Sequence, residues 1–242
     1  MAQGKTRIGI FGSAGRMGQA IALAAENADA THGGIDIGGD AAAMAKISDV
    51  IVDFSVPDAL ADHLAAARAA GTPILIGTTG LDDTHQAMID DAAKEIAIIQ
   101  AANTSLGINL LSAMVEQAAA RLGEDWDIDI LEMHHRHKVD APSGTALLLG
   151  QAAARGRGKS LPELSRFDRD GARDVGSIGF ATLRGGSVAG DHKVILAADG
   201  ERIEIGHRAE DRSIFARGAV KAALWLSDKP LGRYTMADVL GL

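Results

Sequence analysis

The chain has no cysteine, few aromatic residues and no excess of positive charge. Its 242 residues include no Cys, which excludes both disulfide bonds and thiolate sites. Aromatic residues make up 3% of the chain, too few to suggest a surface on which nucleic-acid bases stack. The formal net charge of −8 provides no overall basic field for nucleic acid or an anionic membrane. Neither is therefore expected as a partner.

Long apolar runs are also missing. No stretch approaches the length that spans a bilayer, and the first residues lack the apolar core of a signal peptide. We therefore expect a cytoplasmic protein that does not enter membranes. A chain of this length can bury a substantial core, as one large domain or two small ones.

A glycine-rich turn follows the first predicted strand. Arg7 to Phe11 is short and apolar, Gly12-Ser13-Ala14-Gly15-Arg16-Met17-Gly18 comes next, and a helix is predicted from Gln19 to Ala25. Such glycines allow a tight bend and the close approach of a pyrophosphate. The spacing G-x-x-G-x-x-G also fits an α/β protein that binds nothing there. A second predicted strand, Thr31 to Ile37, favours a dinucleotide site in which Asp36 accepts hydrogen bonds from ribose hydroxyls.

Strands and helices alternate through the first hundred residues, which is typical of a parallel sheet. The predicted elements are a strand at Ser48 to Phe54, a helix at Pro57 to Ala70, a strand at Pro73 to Ile76, a helix at Asp82 to Glu95 and a strand at Ile96 to Gln100. The turns that begin at Gly12, Gly77 and Ala101 should then meet at one sheet edge, where a dinucleotide would lie.

The pattern changes after Ile108, and the remainder predicts a second domain with an antiparallel or mixed sheet. A helix is predicted at Ile108 to Leu122, strands at Ile178 to Leu183, Ser187 to Val188, Lys193 to Ala197 and Arg202 to Ile205, and hairpin turns at Gly185-Gly186 and Asp199-Gly200. A last helix, Phe215 to Leu226, is expected to return to the first domain. The predicted fold class is α/β, a Rossmann-type dinucleotide-binding domain plus a smaller α+β domain.

An arginine-rich stretch from Gly156 to Gly176 separates the two halves of this second region. It is polar and rich in glycine, and we predict a mobile loop that is either a lid or an ordinary surface excursion. The basic residues in and beside it are Arg155, Arg157, Lys159, Arg166, Arg169 and Arg173.

The densest group of chemically active side chains lies in the run EMHHRHKVDAPSGTA, from Glu132 to Ala146. Alternating apolar residues before it predict a strand, and the Ala/Leu-rich stretch from Ala146 to Ala154 predicts a helix. The run therefore occupies a strand-to-helix turn, where α/β proteins commonly place chemistry. His134 or His135 can exchange a proton near neutral pH, and Lys138 is a cation.

Ser143-Gly144-Thr145 opens that predicted helix. Its free N–H groups and positive dipole end form a cradle for an anion, and the glycine lets a ligand approach closely. The alternative is a solvated basic loop in which Ser143 or Thr145 is an ordinary N-cap. Because the histidine run, the cradle and the glycine-rich turn occur in one chain, we favour a pocket for a small anion that needs protonation. No metal site is predicted.

These segments resemble the 4-hydroxy-tetrahydrodipicolinate reductase (dihydrodipicolinate reductase) family over essentially the whole chain. The resemblance rests on FGSAGRMG, on GTTG from Gly77, on AANTSLGIN from Ala101, and on EMHHRHKVDAPSGTA, with GFATLRGG, GDH and GAVKAALWL further along. It implies reduction of 4-hydroxy-2,3,4,5-tetrahydrodipicolinate to tetrahydrodipicolinate by NAD(P)H, with loss of water, in diaminopimelate and lysine biosynthesis. It also implies a dinucleotide-binding domain of residues 1–105 and 213–242, and a substrate-binding and oligomerisation domain of residues 106–212. The family's sheets pair between subunits in a homotetramer, and closure of the domains over cofactor and substrate is expected.

The resemblance also assigns roles to single residues. His134 falls on the general acid/base histidine of the family and Lys138 on its proton donor. His135 falls on a substrate contact, and Gly144 and Thr145 fall on the cradle for a substrate carboxylate. The implied cofactor contacts are Gly12, Ser13, Ala14, Gly15, Arg16, Met17, Asp36, Gly77, Thr78, Thr79, Ala101, Ala102, Asn103 and Thr104.

Two positions depart from the family pattern. Members that use both cofactors can carry a basic residue just after the ribose-binding acid, and here that place is Ile37. A carboxylate without a neighbouring cation disfavours a 2′-phosphate, so NADH is favoured over NADPH. Arg16 could partly restore NADPH binding, or it could be a surface charge at the helix start. Thr104 stands where many members have a large apolar residue, which affects how the nicotinamide packs.

Two other functions are compatible with the residues. A redox sensor on a Rossmann fold would bind NADH without turnover, although it gives no reason for the HHRHK run beside Ser143-Gly144-Thr145. Another imine or amino-acid dehydrogenase would share the two-domain plan. Turnover of a monocarboxylate or an acyclic substrate would identify it.

Overall fold

The computed structural model describes residues 5–168 and 170–242, which form two compact units. The first consists of the described residues up to Leu106 together with Ser213–Leu242, and the second is Gly107–Arg212. The elements in chain order are β1 (Arg7–Phe11), α1 (Arg16–Asn27), β2 (Thr31–Ile35), α2 (Ala41–Lys46), β3 (Val50–Asp53), a 3-10 turn (Pro57–Ala59), α3 (Leu60–Ala70), β4 (Ile74–Ile76), α4 (Asp83–Ala92), β5 (Ala97–Gln100), α5 (Leu106–Leu122), β6 (Asp127–His134), α6 (Gly144–Gly156), α7 (Leu161–Leu164), β7 (Ser165–Arg166), β8 (Ile178–Arg184), β9 (Gly190–Ala198), β10 (Glu201–Ala209), α8 (Ser213–Leu226), β11 (Gly232–Tyr234) and α9 (Met236–Leu240).

The first unit is built on a parallel sheet with the strand order β11-β5-β4-β3-β1-β2. All four residues of β3 are buried, as expected for a parallel strand that helices cover on both faces. Val52 packs in the core with α1 and α8, and Ile51 packs on the opposite face with α2, α3 and α4. The parallel sheet confirms the predicted Rossmann-type architecture, while β11 and α9 were not predicted.

The second unit has a mixed sheet in the order β10-β9-β6-β8-β7. Strand β6 is central, parallel to β8 and antiparallel to β9. Its apolar residues Ile128 and Ile130 pack with Leu111 and Val115 of α5 and with Leu149 of α6. The mixed sheet was predicted, and the central place of β6 puts the histidine-rich run at the carboxyl end of its middle strand.

One predicted hairpin is wrong. Gly185-Gly186 does not join paired strands, because β6 lies between β8 and β9, and Ser187-Val188 is not a strand. The connection instead crosses the end of β6, where Gly185 N donates to His134 O at 2.9 Å and His135 N donates to Val188 O at 2.8 Å. The other hairpin, at Asp199-Gly200, is confirmed, with Gly200 at φ 84°.

The arginine-rich stretch contains α7 and β7, which the sequence did not predict. Two of its arginines bind it to the rest of the second unit: Arg157 donates to Trp126 O, and Arg173 donates to Asp129 at 2.8 Å. Arg169 lies outside the described residues. In the part of the chain that is described, every helix falls short of the length and apolar character that a membrane crossing requires.

Candidate functional site

The glycine-rich turn after β1 is shaped for close approach of a ligand. Gly12 N and Ser13 N both donate to Ile35 O at 3.0 Å. Gly12 has φ 79°, and a Cβ there would lie 2.5 Å from Phe54 O, so the turn requires glycine. Gly15 is the N-cap of α1 and has no side chain, which leaves the N–H groups of the first helical turn open to an anion. These residues fit the pyrophosphate of a dinucleotide.

Asp36 lies beside this turn in an ionised state. The second strand was predicted to reach Ile37 but ends at Ile35, because Gly39 N donates to Asp36 O at 2.8 Å and Gly38 has φ 82°. The Asp36 carboxylate accepts hydrogen bonds from Ile37 N and Ala14 N, both at 2.9 Å. These two hydrogen bonds lower the pKa of Asp36, so it carries a full negative charge near neutral pH.

A cleft of about 610 Å³ opens between the glycine turn, the Asp36 turn and the residues after β3. Its lining includes the predicted residues Gly12, Ala14, Gly15 and Asp36. No arginine or lysine is found among the described residues that line it. The acidic side chains of this lining are Asp36 and Asp62.

Other predicted cofactor contacts lie at the same sheet edge without lining this cleft. Gly77 and Ala101 follow β4 and β5, and Thr78 Oγ1 accepts a hydrogen bond from Ser55 N at 3.1 Å. The remaining residues of this group are Thr79, Ala102, Asn103 and Thr104. The hydroxyl of Thr104 is buried and donates to Phe215 O at 2.7 Å, so this side chain serves the packing of α8.

A buried acid–histidine pair beside the cleft was missed. Asp53 ends β3 and is fully buried, and its Oδ2 lies 2.8 Å from Nδ1 of His63. Ser55 Oγ donates to the other carboxylate oxygen at 2.6 Å. An acid at the end of an otherwise apolar strand, with a histidine in the next helix, was the signal available in the sequence.

His134 is the last residue of β6 and is held by a buried carboxylate. Its Nδ1 lies 2.5 Å from Oε2 of Glu132, and the two residues are 8% and 1% exposed. Arg184 of β8 binds the same carboxylate through both terminal nitrogens, at 2.8 and 2.9 Å. The sequence analysis missed Glu132 and Arg184. Glu132 could have been noticed, because Ile128, Ile130, Glu132 and His134 are alternate residues of one strand and so face the same side of the sheet.

Burial and charge set the protonation of this group. Burial lowers the pKa of His134, and Glu132 only partly offsets the effect. Burial raises the pKa of Glu132, but the hydrogen bonds from Arg184, His134 and Ser143 outweigh it and leave the pKa below its ordinary value. At neutral pH the pair is therefore an ionised Glu132 with a neutral His134.

Lys138 and His135 lie in the turn that follows β6. Lys138 Nζ pairs with Asp140 Oδ1 at 2.8 Å, and the hydrogen bond from Lys138 lowers the pKa of Asp140. His135 Nδ1 is buried and has no hydrogen-bond partner among the described residues. The turn thus holds an ammonium group paired with a carboxylate, and a buried imidazole nitrogen that none of the described residues engages.

The predicted anion cradle is the N-terminus of α6. Ser143 is its N-cap and accepts a hydrogen bond from Ala146 N at 3.1 Å. Gly144 and Thr145 form the first turn, and a Cβ added at Gly144 would meet no described atom within 4 Å. Ser143 Oγ also lies 3.1 Å from Nε2 of His192 in β9, another residue that the sequence analysis missed.

Acid should destabilise the protein through His192. Burial lowers its pKa from the ordinary 6.5 to about 4. Between these values the unfolded chain binds a proton that the folded chain excludes, so the stabilisation present above pH 6.5 is lost as pH falls toward 4. We expect the thermal midpoint, followed by circular dichroism, to fall over this range. The fall should be smaller in His192→Gln, and an identical pH dependence in that variant would contradict the assignment.

The chain matches two protein-family descriptions in succession. "Dihydrodipicolinate reductase, N-terminus" matches residues 6–104, and "Dihydrodipicolinate reductase, C-terminus" matches residues 107–240. Together they cover nearly the whole chain, including the glycine turn and the histidine-rich run.

Individual relatives agree with this match. A 4-hydroxy-tetrahydrodipicolinate reductase from Zymomonas mobilis is 57% identical, with 99% of each chain covered. The enzyme of the same name from Parvibaculum lavamentivorans is 48% identical, with 98% of each covered. Among solved structures, dipicolinate-bound dihydrodipicolinate reductase from Paenisporosarcina sp. TG-14 has a TM-score of 0.78 at 21% identity, covering 97% of this chain and 98% of that one. The structural likeness confirms the fold class, and the sequence matches show that the chain belongs to the dihydrodipicolinate reductase family.

Proposed function

We propose that this protein reduces 4-hydroxy-tetrahydrodipicolinate to tetrahydrodipicolinate, with loss of water, as an NAD(P)H-dependent oxidoreductase of diaminopimelate and lysine biosynthesis. The relatives from Zymomonas and Parvibaculum carry the name of that reductase. The observation that carries the proposal is the buried Glu132–His134 pair at the end of β6, with Lys138 in the turn that follows and the N-terminus of α6 tied to Glu132 through Ser143 N. A proton-exchanging group next to an anion cradle suits reduction of a carboxylated imine.

The substrate is a six-membered cyclic imine with two carboxylates. The Paenisporosarcina enzyme was solved with dipicolinate, a cyclic dicarboxylate. In this chain we assign one carboxylate to the N–H groups of Gly144 and Thr145, and the other to Lys138 and His135. A helix N-terminus and an ammonium group bind carboxylates by charge-assisted hydrogen bonds. Held at both ends, the ring is oriented for reaction.

The protein supplies orientation and protons. Overall, the substrate, NAD(P)H and a proton give tetrahydrodipicolinate, NAD(P)⁺ and water. When bound, the nicotinamide supplies the hydride, which goes to the ring carbon conjugated with the imine after loss of the 4-hydroxyl. Lys138 Nζ donates the proton that the resulting enamine needs, and His134 exchanges protons at Nε2.

A coupled assay tests the proposal. The product of the synthase step that makes the cyclic imine is supplied fresh, and oxidation of NADH and NADPH is followed in parallel. We expect turnover with both cofactors. Binding of NADH without turnover would indicate a redox sensor, and turnover of an acyclic or monocarboxylate substrate instead would indicate a different imine dehydrogenase.

The cradle can be tested by small changes at the start of α6. Gly144→Ala places a methyl group in open space that the substrate would occupy, and Thr145→Val removes a hydroxyl. Each should raise the KM of the cyclic imine about tenfold, equivalent to ~1.4 kcal/mol for one weakened hydrogen bond to a charge. The KM of NADH should stay within about twofold. An equal rise for substrate and cofactor would indicate a fold defect.

We further propose that NADH is used at least as well as NADPH. The ionised Asp36 accepts from a ribose 2′-hydroxyl and repels a 2′-phosphate, and the adjacent Ile37 is fully exposed and uncharged. Ile37→Arg should improve kcat/KM for NADPH by roughly 5- to 30-fold, the equivalent of ~1–2 kcal/mol, and leave NADH nearly unchanged.

Ile37→Met is the matched control, because it keeps an apolar side chain of similar size and adds no charge. It should leave the ratio of the two kcat/KM values unchanged. A strong preference for NADPH in the unmodified protein would contradict this role of Asp36 and point to Arg16, at the start of α1.

The homotetramer stays a prediction that rests on the family resemblance, and the cytoplasmic location stays a prediction that rests on the sequence composition. Sedimentation equilibrium of the purified chain tests the first, and fractionation of cells that express it tests the second.

A further inference from the structure

We propose that Glu132 is the positioning residue of this site: it orients the His134 ring so that Nε2 exchanges the proton, and it ties that ring to the anion cradle. This inference rests on the proposed function, because it assigns the reacting atom of a group that the reaction uses. Glu132 itself is assigned no contact with substrate or cofactor.

The contact with Glu132 fixes the tautomer of His134. An ionised carboxylate can only accept hydrogen bonds, so the 2.5 Å contact between Nδ1 and Oε2 of Glu132 requires the hydrogen to be on Nδ1. Neutral His134 then has its lone pair on Nε2. That atom faces Gly190, where an added Cβ would lie only 3.0 Å from it. Glycine therefore leaves the reactive edge of the ring uncovered.

The carboxylate of Glu132 is held rigidly. Arg184 binds both oxygens, at 2.8 and 2.9 Å, in the two-pronged geometry that fixes a carboxylate plane. Ser143 N and Thr182 Oγ1 also donate to Oε1, at 3.1 and 3.2 Å. A buried ion pair contributes little stability compared with apolar side chains of the same size. Positioning is therefore the better explanation for this arrangement.

The same carboxylate is also bonded to α6 and, through Arg184, to the turn that carries Lys138. Ser143 is the N-cap of α6, so the hydrogen bond from its N–H fixes the cradle relative to the His134 ring. Arg184 also donates to Asp140 O at 2.6 Å, and the Asp140 side chain pairs with Lys138. One buried carboxylate thus links the acid/base histidine, the anion cradle and the turn that carries the proposed proton donor.

The charges around His134 give a pH signature. The groups that face it are Glu132 on its own strand, Arg184 on β8, His192 on β9 and Lys138 in the following turn. Of these, Glu132 is the anion and favours the protonated ring. Glu132→Gln removes the negative charge that stabilises the protonated ring. The pKa of His134 should therefore fall further, and the tautomer should no longer be fixed.

The decisive measurement is nitrogen-resolved NMR of the His134 imidazole in the ligand-free, full-length protein across pH 5 to 9, a range of about four units around the ordinary histidine value. The wild type should show the tautomer with hydrogen on Nδ1. In Glu132→Gln this preference should be lost and the titration should move to lower pH. A wild-type ring with its hydrogen on Nε2 overturns the proposal, whether or not the variant folds.

Steady-state kinetics complete the test. Glu132→Gln should lower kcat by roughly a hundredfold, because a misplaced acid or base loses most of the rate enhancement that general acid–base catalysis provides. Glu132→Asp keeps the charge and should recover part of the loss. Thr182→Val removes the longest hydrogen bond to this carboxylate but leaves both contacts from Arg184, so it should lower kcat by less than Glu132→Gln does. Unchanged kcat and an unchanged pH profile in Glu132→Gln would overturn the inference, whereas absence of turnover in the wild type would overturn the proposed function alone.

Discussion

His134→Gln should lower turnover of the cyclic imine by about 10²- to 10⁴-fold, the usual contribution of a general acid or base. Glutamine is of similar length and can still hydrogen bond to Glu132, but it cannot exchange a proton near neutral pH. The fold and the binding of NADH should remain intact, because the cleft proposed for the cofactor is lined by residues of the first unit. Steady-state kinetics give kcat, and quenching of NADH fluorescence gives cofactor affinity.

His137→Gln is the matched control for this change. His137 lies in the turn that follows His134, and its ring is 6.3 Å from that of His135, but its side chain is exposed. Its replacement should alter kcat by no more than about threefold, the scale expected of an exposed residue outside the reacting groups. If His134→Gln behaves like His137→Gln, then His134 has only a structural role.

Much of the first unit could be predicted because its signals are local. The glycine turn, the apolar strands and the helices between them each show in a few consecutive residues, and parallel βαβ units arrange such elements in few ways. The predicted elements of this unit differ from the observed ones by only a few residues at their ends. Strand β2 ends at Ile35, not at Ile37, because the turn at Asp36 begins there, and the pattern of apolar residues does not show that turn. Asp53 and His63 went unnoticed because they lie ten residues apart and meet only when α3 packs on β3.

The second unit was harder because its site depends on strand order. His134 and Lys138 were picked out from the chemistry of the run, and the family resemblance assigned their roles, but Arg184 and His192 come from strands far away in sequence. Arg184 reaches Glu132 only because β8 pairs with β6, and His192 reaches Ser143 only because β9 pairs on the other side. The predicted hairpin at Gly185-Gly186 instead joined the strand Ile178 to Leu183 to a strand at Ser187-Val188. With those two segments paired, the two neighbours of β6 in the sheet were not identified, and both residues were missed.

Glu132 was the one member of this group that the sequence could have shown. It occupies an inward position of β6, in phase with Ile128 and Ile130, where a charge is costly unless it is paired. A buried acid two residues before a candidate catalytic histidine predicts that the acid holds the ring.

Lys138→Met should lower kcat by about 10²- to 10³-fold and also raise the KM of the cyclic imine, because it removes both the proposed proton donor and a carboxylate contact. Lys138→Arg separates the two effects. Arginine keeps the positive charge but does not give up a proton in proteins, so KM should recover while kcat stays low. Kinetics of the two variants side by side, with NADH saturating, provide the measurement.

Asp140→Asn tests whether such a loss comes from the ammonium group or from a disturbed turn. It breaks the 2.8 Å ion pair with Lys138 but leaves the lysine in place. Asp140 is about half exposed, and exposed ion pairs contribute only ~0–1 kcal/mol, so kcat should fall by no more than about threefold. Equal losses in Asp140→Asn and Lys138→Met would mean that the ion pair matters only for the shape of the turn. Recovery of kcat in Lys138→Arg would mean that charge alone suffices and that the proton comes from another group.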